Sequence, residues 1–287
     1  VTALPVNLFL NWLLIYGNWG FPRLELAGAG WGTLLTRIAI FIILAALILR
    51  LPAFRKYIGV WREQWHFRLR TIGQILHIGV PSGLQMSLEV SAFAVSAILI
   101  GTIDAVSLAA HQIAISCAAF AFMVSTGLAH GGSIRASNNC GRGDWRTIYL
   151  IGKSTLLTAL VYGAACAVIF AAFRRQIVHA FNNDPATVAM AASLLLYAAI
   201  FQISDATQAV GAGLLRGIKD VSVPTGLIAI AYWCVGLPTG VLLAFVFQMN
   251  AFGMWIGFIT GLTFSSVVLS LRFFRSVDRQ LRKAVQA

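Results

Sequence analysis

A polytopic bundle of transmembrane α-helices is the fold class this sequence predicts, and three observations predict it. Of the 287 residues, 59% are hydrophobic and only 10% are charged, where a soluble globular domain carries roughly half and a quarter. The apolar residues gather into long runs instead of spreading evenly. The 21 Lys and Arg residues, which leave a net charge of +12, fall mostly between those runs. The same composition excludes a disordered chain, a disulfide scaffold, collagen and a coiled coil.

A bilayer core takes about 20 apolar residues per helix. The first run, 1–16, is cut short. Seven more follow at 27–51, 72–99, 106–129, 148–173, 186–215, 223–247 and 251–271. None alternates as a transmembrane β-strand would, and helices satisfy their own backbone groups, as lipid requires. The chain opens on Val1 inside an apolar run, with no charged leader and no small-residue cleavage site. That opening reads as a fragment whose natural N-terminus lies upstream.

Positive charge sorts the loops. The link after the second run holds Arg50, Arg55, Lys56, Arg62, Arg68 and Arg70 against Glu63. Arg135, Arg142, Arg146 and Lys153 follow two links later, then Arg216 and Lys219. The chain ends on Arg272, Arg275, Arg279, Arg282 and Lys283. These are alternate segments on one side, which the positive-inside rule assigns to the cytoplasm. Arg174 and Arg175 are the exception. The stretch from Arg50 to Arg70, with Trp61, Trp65 and Phe67, reads as an amphipathic connector at the membrane surface and as the best domain boundary. Its basic-aromatic mix is ordinary for a membrane flank, so nucleic acid is not expected as a partner.

Four cysteines show no metal-ligand spacing. Cys117, Cys166 and Cys234 lie within apolar runs and are expected to be buried thiols. No catalytic triad, P-loop or zinc helix is present, so an enzyme is not expected. Without an ATP-binding module, an ion gradient or a separate subunit would supply the energy.

Two acids stand well inside predicted spans, Glu89 in the third and Asp205 in the sixth. A charge at the bilayer centre costs about 2.5–3.5 kcal/mol on insertion scales and marks an ion or substrate path. Neither acid has a Lys or Arg within four positions. Gln85 and Phe93 share the helix face of Glu89, and Ser82 and Ser96 extend the stripe. Phe201 and Gln208 flank Asp205, with Gln202 and Thr207 nearby. Such a face can coordinate a monovalent cation, hold a proton or bond a ligand, which is the basis for an antiporter.

Glycine and proline interrupt two spans: Gly79, Pro81 and Gly83 in the third, Gly236 and Pro238 in the seventh. Pro81 and Pro238 are expected to bend their helices, and close helix packing is the alternative reading of the glycines. Gly211 and Gly213 are read as packing residues. Arg37 lies deep in the second span, as a cavity charge, a snorkelling side chain or an ion-pair partner. His111 and His130 bracket the fourth span and are read as packed histidines.

Six stretches in order resemble the multidrug and toxic compound extrusion (MATE) family, in its NorM-like bacterial branch. They are NWLLIYGNWGFP from Asn11, GVPSGLQMSLEVSAFAVSAILIG from Gly79, LAAHQIA from Leu108, FQISDATQAVGAGLLRGIKD from Phe201, AYWCVGLPTG from Ala231 and GMWIGFITGL from Gly253. The resemblance implies a MATE-type bundle of twelve helices in two lobes, of which this chain holds about the last eight. Residues 1–51 would be the truncated end of the N-terminal lobe and 52–71 the inter-lobe loop. Residues 72–273 would be the complete C-terminal lobe and 274–287 a basic cytoplasmic tail. It also implies export of organic, often cationic, compounds in exchange for Na+ or H+, with no cofactor beyond the coupling ion. The implied setting is a bacterial inner membrane and the implied state a monomer. Glu89 and Asp205 match the family's C-terminal-lobe cation site, but Phe201 stands where a tyrosine often assists. Ser125 replaces an expected proline, and His130 is unusual. A flippase-type carrier of a lipid-linked substrate is the runner-up reading, and a non-transporting membrane scaffold or a membrane-embedded enzyme a third.

Overall fold

The computed structural model describes residues 3–51 and 69–286, so the expected surface connector lies outside the described residues. All the regular structure is helical among the described residues. The chain divides into two units, 1–69 and 70–287.

In the first unit, α1 (Ala3–Tyr16) and α2 (Glu25–Arg50) pack as a helical hairpin. Gly17 sits in the left-handed region at φ 72° as the chain turns. Gly28 lets α2 close on α1: a Cβ there would lie 2.7 Å from the carbonyl carbon of Leu14. The Asn7 amide donates to the Thr36 hydroxyl at 3.2 Å, and the Asn11 amide to Asn7 at 3.1 Å. Arg37 is exposed, on an outer face of α2.

The second unit holds α3 (Leu69–Gly101), α4 (Ala105–Arg142), α5 (Trp145–His179), α6 (Pro185–Gly217), α7 (Ser222–Val246) and α8 (Asn250–Gln286). Seven helices, α2 to α8, are long and apolar enough to cross a membrane, and α1 is a shorter apolar helix. The molecule is thus an all-α polytopic membrane protein. Many helices outrun their apolar runs. α4 continues 13 residues past Ala129, so Arg135 and Arg142 are helical, not in a loop. Arg272 to Lys283 likewise continue α8. Basic residues can lengthen a helix into the interface because their heads remain in water.

Each tight connection in this unit is set by local chemistry. Asp104, Asp144 and Asp184 stand immediately before α4, α5 and α6. Each accepts both the backbone N–H and the hydroxyl of the residue three positions on, Ser107, Thr147 or Thr187. A free helix-start donor is satisfied each time. These bonds hold all three carboxyls below the usual aspartate range. Gly143, at φ 73°, ends α4 in the left-handed form and allows a two-residue link to α5.

α6 is the central helix, packed against α4, α5 and α8. Small residues bring the backbones together. Gly213 and Gly217 face the carbonyls of Ala129 and Ser133 on α4, and Gly211 faces Leu269 on α8. α7 and α8 meet along Gly236, Gly240, Gly253, Gly257 and Gly261. Gly236 therefore serves close packing. Pro81 lies inside α3, which runs unbroken past it. Pro238 lies in a short α-helical piece of α7 between π-helical stretches at Ile230–Gly236 and Leu242–Val246. Cys117 and Cys166 are buried as expected, but Cys234 is exposed. It occupies an outward face of α7, because a polarizable thiol is tolerated among apolar neighbours on either side of a membrane helix.

Candidate functional site

Around Glu89, side chains bridge α3 to α6 and α7 across a polar gap, whereas further along α3 Ala92, Ser96 and Ile100 are packed at 0–1% exposure. The Thr225 hydroxyl of α7 is shared between the Pro81 carbonyl of α3 and the Val221 carbonyl one turn back, each at 3.0 Å. The Trp233 indole of α7 donates to the Leu88 carbonyl at 3.3 Å. These two bonds grip α3 on either side of Gln85 and beside Glu89.

Glu89 is half-buried in this gap. Its Oε1 accepts from the Gln85 amide, one turn back on α3, at 3.1 Å, and from the Gln208 amide of α6 at 3.0 Å. Gln85 and Gln208 are 7% and 2% exposed, so both donors are sequestered from bulk water. One turn before Gln208 lies Asp205, buried at 5% exposure. No hydrogen bond from a described side chain reaches its carboxyl, and among the described residues neither acid forms a salt bridge. The bond from Gln208 thus ties Glu89 to α6 one turn from Asp205, bringing near each other two acids that are 116 positions apart in sequence.

An aromatic wall closes one side of that gap. α3 and α6 run antiparallel, so one turn from Glu89 to Phe93 and one turn back from Asp205 to Phe201 lead the same way. Phe93 and Phe201 meet edge to face at 6.2 Å between centroids. Phe93 also contacts Tyr232 at 5.7 Å and Phe258 at 4.8 Å, and Phe201 contacts Trp255 at 5.6 Å. His111 of α4 packs on Trp255 and Phe258 at 5.9 and 6.4 Å. His111 is packed, as expected, but its Nδ1 has no hydrogen-bond partner among the described residues. The same holds for Nε1 of Trp255 and both amide atoms of Gln202.

Tyr232, Trp255 and Phe258 escaped the reading of the sequence, because each is an ordinary apolar residue on its own helix. Arg216, read as a loop cation, instead lies in the last turn of α6, with its Nε unpartnered among the described residues. Ser82 and Ser96 were expected on the wet stripe, but they bond back to Ile78 and Ala92 at 2.8 and 2.9 Å. Serine in a helix can satisfy itself on the preceding turn, so spacing alone does not place it in a cavity. Ser125 is fully buried with its hydroxyl unpartnered among the described residues, and His130 is exposed.

Two carboxyls, two amides and a ring wall, with no cation bonded to the acids, form an acceptor for positive charge. Carboxylate oxygens suit a monovalent cation or a proton, while the Gln85 and Gln208 amides turn N–H groups toward Glu89. Ring faces attract an organic cation at about 0.5–2 kcal/mol each.

Comparison with known proteins gives the family. The family model described as MatE matches residues 81–242. "Probable multidrug resistance protein NorM" of Mesorhizobium japonicum is 37% identical over 281 residues, 95% of this chain and 59% of that protein. A protein of the same name from Geobacillus kaustophilus is 37% identical over 98% of this chain and 61% of its own length. The crystal structure of the eukaryotic MATE transporter AtDTX14 superposes with a TM-score of 0.86 at 22% identity, over 99% of this chain and 62% of that one. The chain thus spans about three-fifths of the length of the relatives it matches. On its family match and its bacterial relatives, this chain belongs to the MatE, or multidrug and toxic compound extrusion, family of membrane transporters.

Proposed function

We propose that the chain forms part of a secondary active antiporter that exports organic, often cationic, compounds in exchange for Na+ or H+. One observation carries this reading: Glu89 is tied through Gln208 to α6 one turn from the buried Asp205, beside aromatic rings, and neither acid has a bonded basic partner among the described residues. A permanent ion pair would fill the acids and leave nothing for a mobile cation to do. Here the Gln85 and Gln208 amides orient Glu89 without neutralising it. The coupling ion visits the carboxyls, and the substrate competes for the same charge and the adjacent rings. Exclusive occupancy of one site by ion or substrate is the basis of exchange by alternating access.

The protein is placed in a bacterial inner membrane, with its basic helix ends and C-terminus cytoplasmic. It acts as a monomer, and no cofactor is required beyond the coupling ion. Residues 1–51 end an N-terminal lobe, 52–71 join the lobes, 72–273 form the C-terminal lobe and 274–287 the basic end. The runner-up, a flippase for a lipid-linked substrate, calls for several cations lining the cavity. Arg37 is the one basic residue deep inside a predicted span, which favours the antiporter.

The test is efflux of a fluorescent cationic dye by the reconstituted full-length protein under an imposed sodium or proton gradient. Each elementary charge moved across 100 mV carries about 2.3 kcal/mol. Glu89→Gln and Asp205→Asn should each abolish gradient-driven efflux with membrane insertion unchanged. Efflux at wild-type rates from both variants would refute the assignment.

A further inference from the structure

A cleft lies apart from the carboxylates, where α8 outruns α7. Arg272 of α8 clasps Asp220, just ahead of α7, through bonds of 2.8 and 3.0 Å. Residues after Arg272 therefore stand beyond the level at which α7 begins. The cleft, of about 380 Å³, opens beside the clasp. Its walls alongside α7 are apolar: Val223 and Leu227 of α7, Val268 and Leu271 of α8. Val223 and Leu271 are 46% and 50% exposed, so the cleft opens sideways. Its outer part is Arg272, Arg275, Ser276 and Arg279. Residues 268, 272, 275 and 279 follow helical spacing, so one face of α8 passes from apolar to cationic along its length. A neighbouring hollow of about 210 Å³ shares Arg272, Ser276 and Arg279 and adds Trp145.

The charges in this cleft are not balanced. Arg272 is matched by Asp220, but Arg275 and Arg279 form no salt bridge among the described residues. Both are exposed and one turn apart. An occupant must be anionic at the outer end and apolar below. An acidic peptide or a free anion would satisfy the arginines and leave the exposed apolar walls unfilled. A membrane lipid with a charged headgroup satisfies both, and Trp145 lines the adjoining hollow beside Arg272 and Arg279, as aromatic side chains do where membrane helices meet headgroups.

We propose that this cleft holds one anionic phospholipid. The phosphate bridges Arg275 and Arg279 beside the Ser276 hydroxyl, and an acyl chain runs down Val223, Leu227, Val268 and Leu271. Arginine suits phosphate because its planar fork donates two bonds at once, and basic pockets between membrane helices select such headgroups.

The experiment is native mass spectrometry of the full-length protein released from mixed phosphatidylglycerol and phosphatidylcholine. One phosphatidylglycerol per chain should be retained in preference to phosphatidylcholine. Arg275→Gln with Arg279→Gln should weaken that retention about 30-fold. Both side chains are exposed, so the fold does not depend on them. Arg174→Gln with Arg175→Gln, at the other end of the bundle, should leave retention unchanged. Millimolar inorganic phosphate should fail to displace the lipid. The proposal falls if phosphatidylcholine is held equally, if the two double variants behave alike, or if inorganic phosphate competes, which would mark a site for free anions. None of these outcomes depends on whether the protein exchanges ions for drugs.

Discussion

Replacing Gly257 by alanine should push α7 off α8. A Cβ at Gly257 would lie 2.5 Å from the Gly236 carbonyl oxygen and 2.5 Å from the Gly240 Cα. Ordinary contact begins at 3.4 Å, so the helices must part by about 1 Å, and every atom in the way is backbone. Over-packing costs about 1–3 kcal/mol, and unyielding neighbours place this site near the top of that range. Alanine recovers up to about 1 kcal/mol by removing a helical glycine. The net effect is destabilisation by about 2 kcal/mol. Gly226, also on α7, has nothing within 4 Å of its would-be Cβ. Gly226→Ala should show the gain alone, up to about 1 kcal/mol of stabilisation. Unfolding of both variants in graded denaturing detergent, followed by circular dichroism, measures the difference. If Gly257→Ala unfolds no earlier than Gly226→Ala, the seam is not as tight as described and the reasoning fails.

Two further outcomes follow from bonds already described. Trp233→Phe keeps an aromatic, though smaller, ring but removes the donor to the Leu88 carbonyl. It should cost about 1 kcal/mol in thermal unfolding and loosen Glu89, seen as faster hydrogen exchange around 85–89; unchanged exchange would show that α3 is held otherwise. The three helix-start aspartates set an acid limit. Their folded pKa values lie below the ordinary 3.8. They therefore contribute stability that is complete above the unfolded value and is lost as pH falls through the lowered folded ones. Melting temperature should drop more steeply below about pH 4 in wild type than in a variant with Asp104, Asp144 and Asp184 all changed to asparagine, and parallel curves would contradict the capping role.

Much of the architecture was legible in the sequence because lipid imposes a long, one-dimensional signal. Runs of about 20 apolar residues located each spanning helix. The ends were not legible, because interfacial arginines such as Arg142 and Arg275 extend a helix beyond its apolar run without changing its character. Glu89 and Asp205 stood out as charges in oil, and Gln85 followed from its spacing. The bond from Gln208 to Glu89 could not be read, since nothing local says which helices are neighbours. The ring wall was invisible for the same reason: Phe93, Tyr232 and Phe258 converge only once three helices are packed. The aspartate caps show the reverse case. Each is a local Asp-x-x-Ser/Thr pattern that was present in the sequence and passed over among more conspicuous charges.

The unequal attachment of the helices has a mechanical consequence. α7 and α8 touch backbone to backbone, so they can neither slide nor part without forcing atoms together or opening a void. Around Gln85 and Glu89, α3 is held by side-chain bonds, each worth about 1 kcal/mol and each replaceable by water or by a neighbouring oxygen, while its far half is anchored in the core at Ala92, Ser96 and Ile100. The bundle is therefore stiff where glycines meet and more compliant where Glu89 sits. A load applied at that carboxyl is taken up by the polar half of α3 before the glycine seam yields.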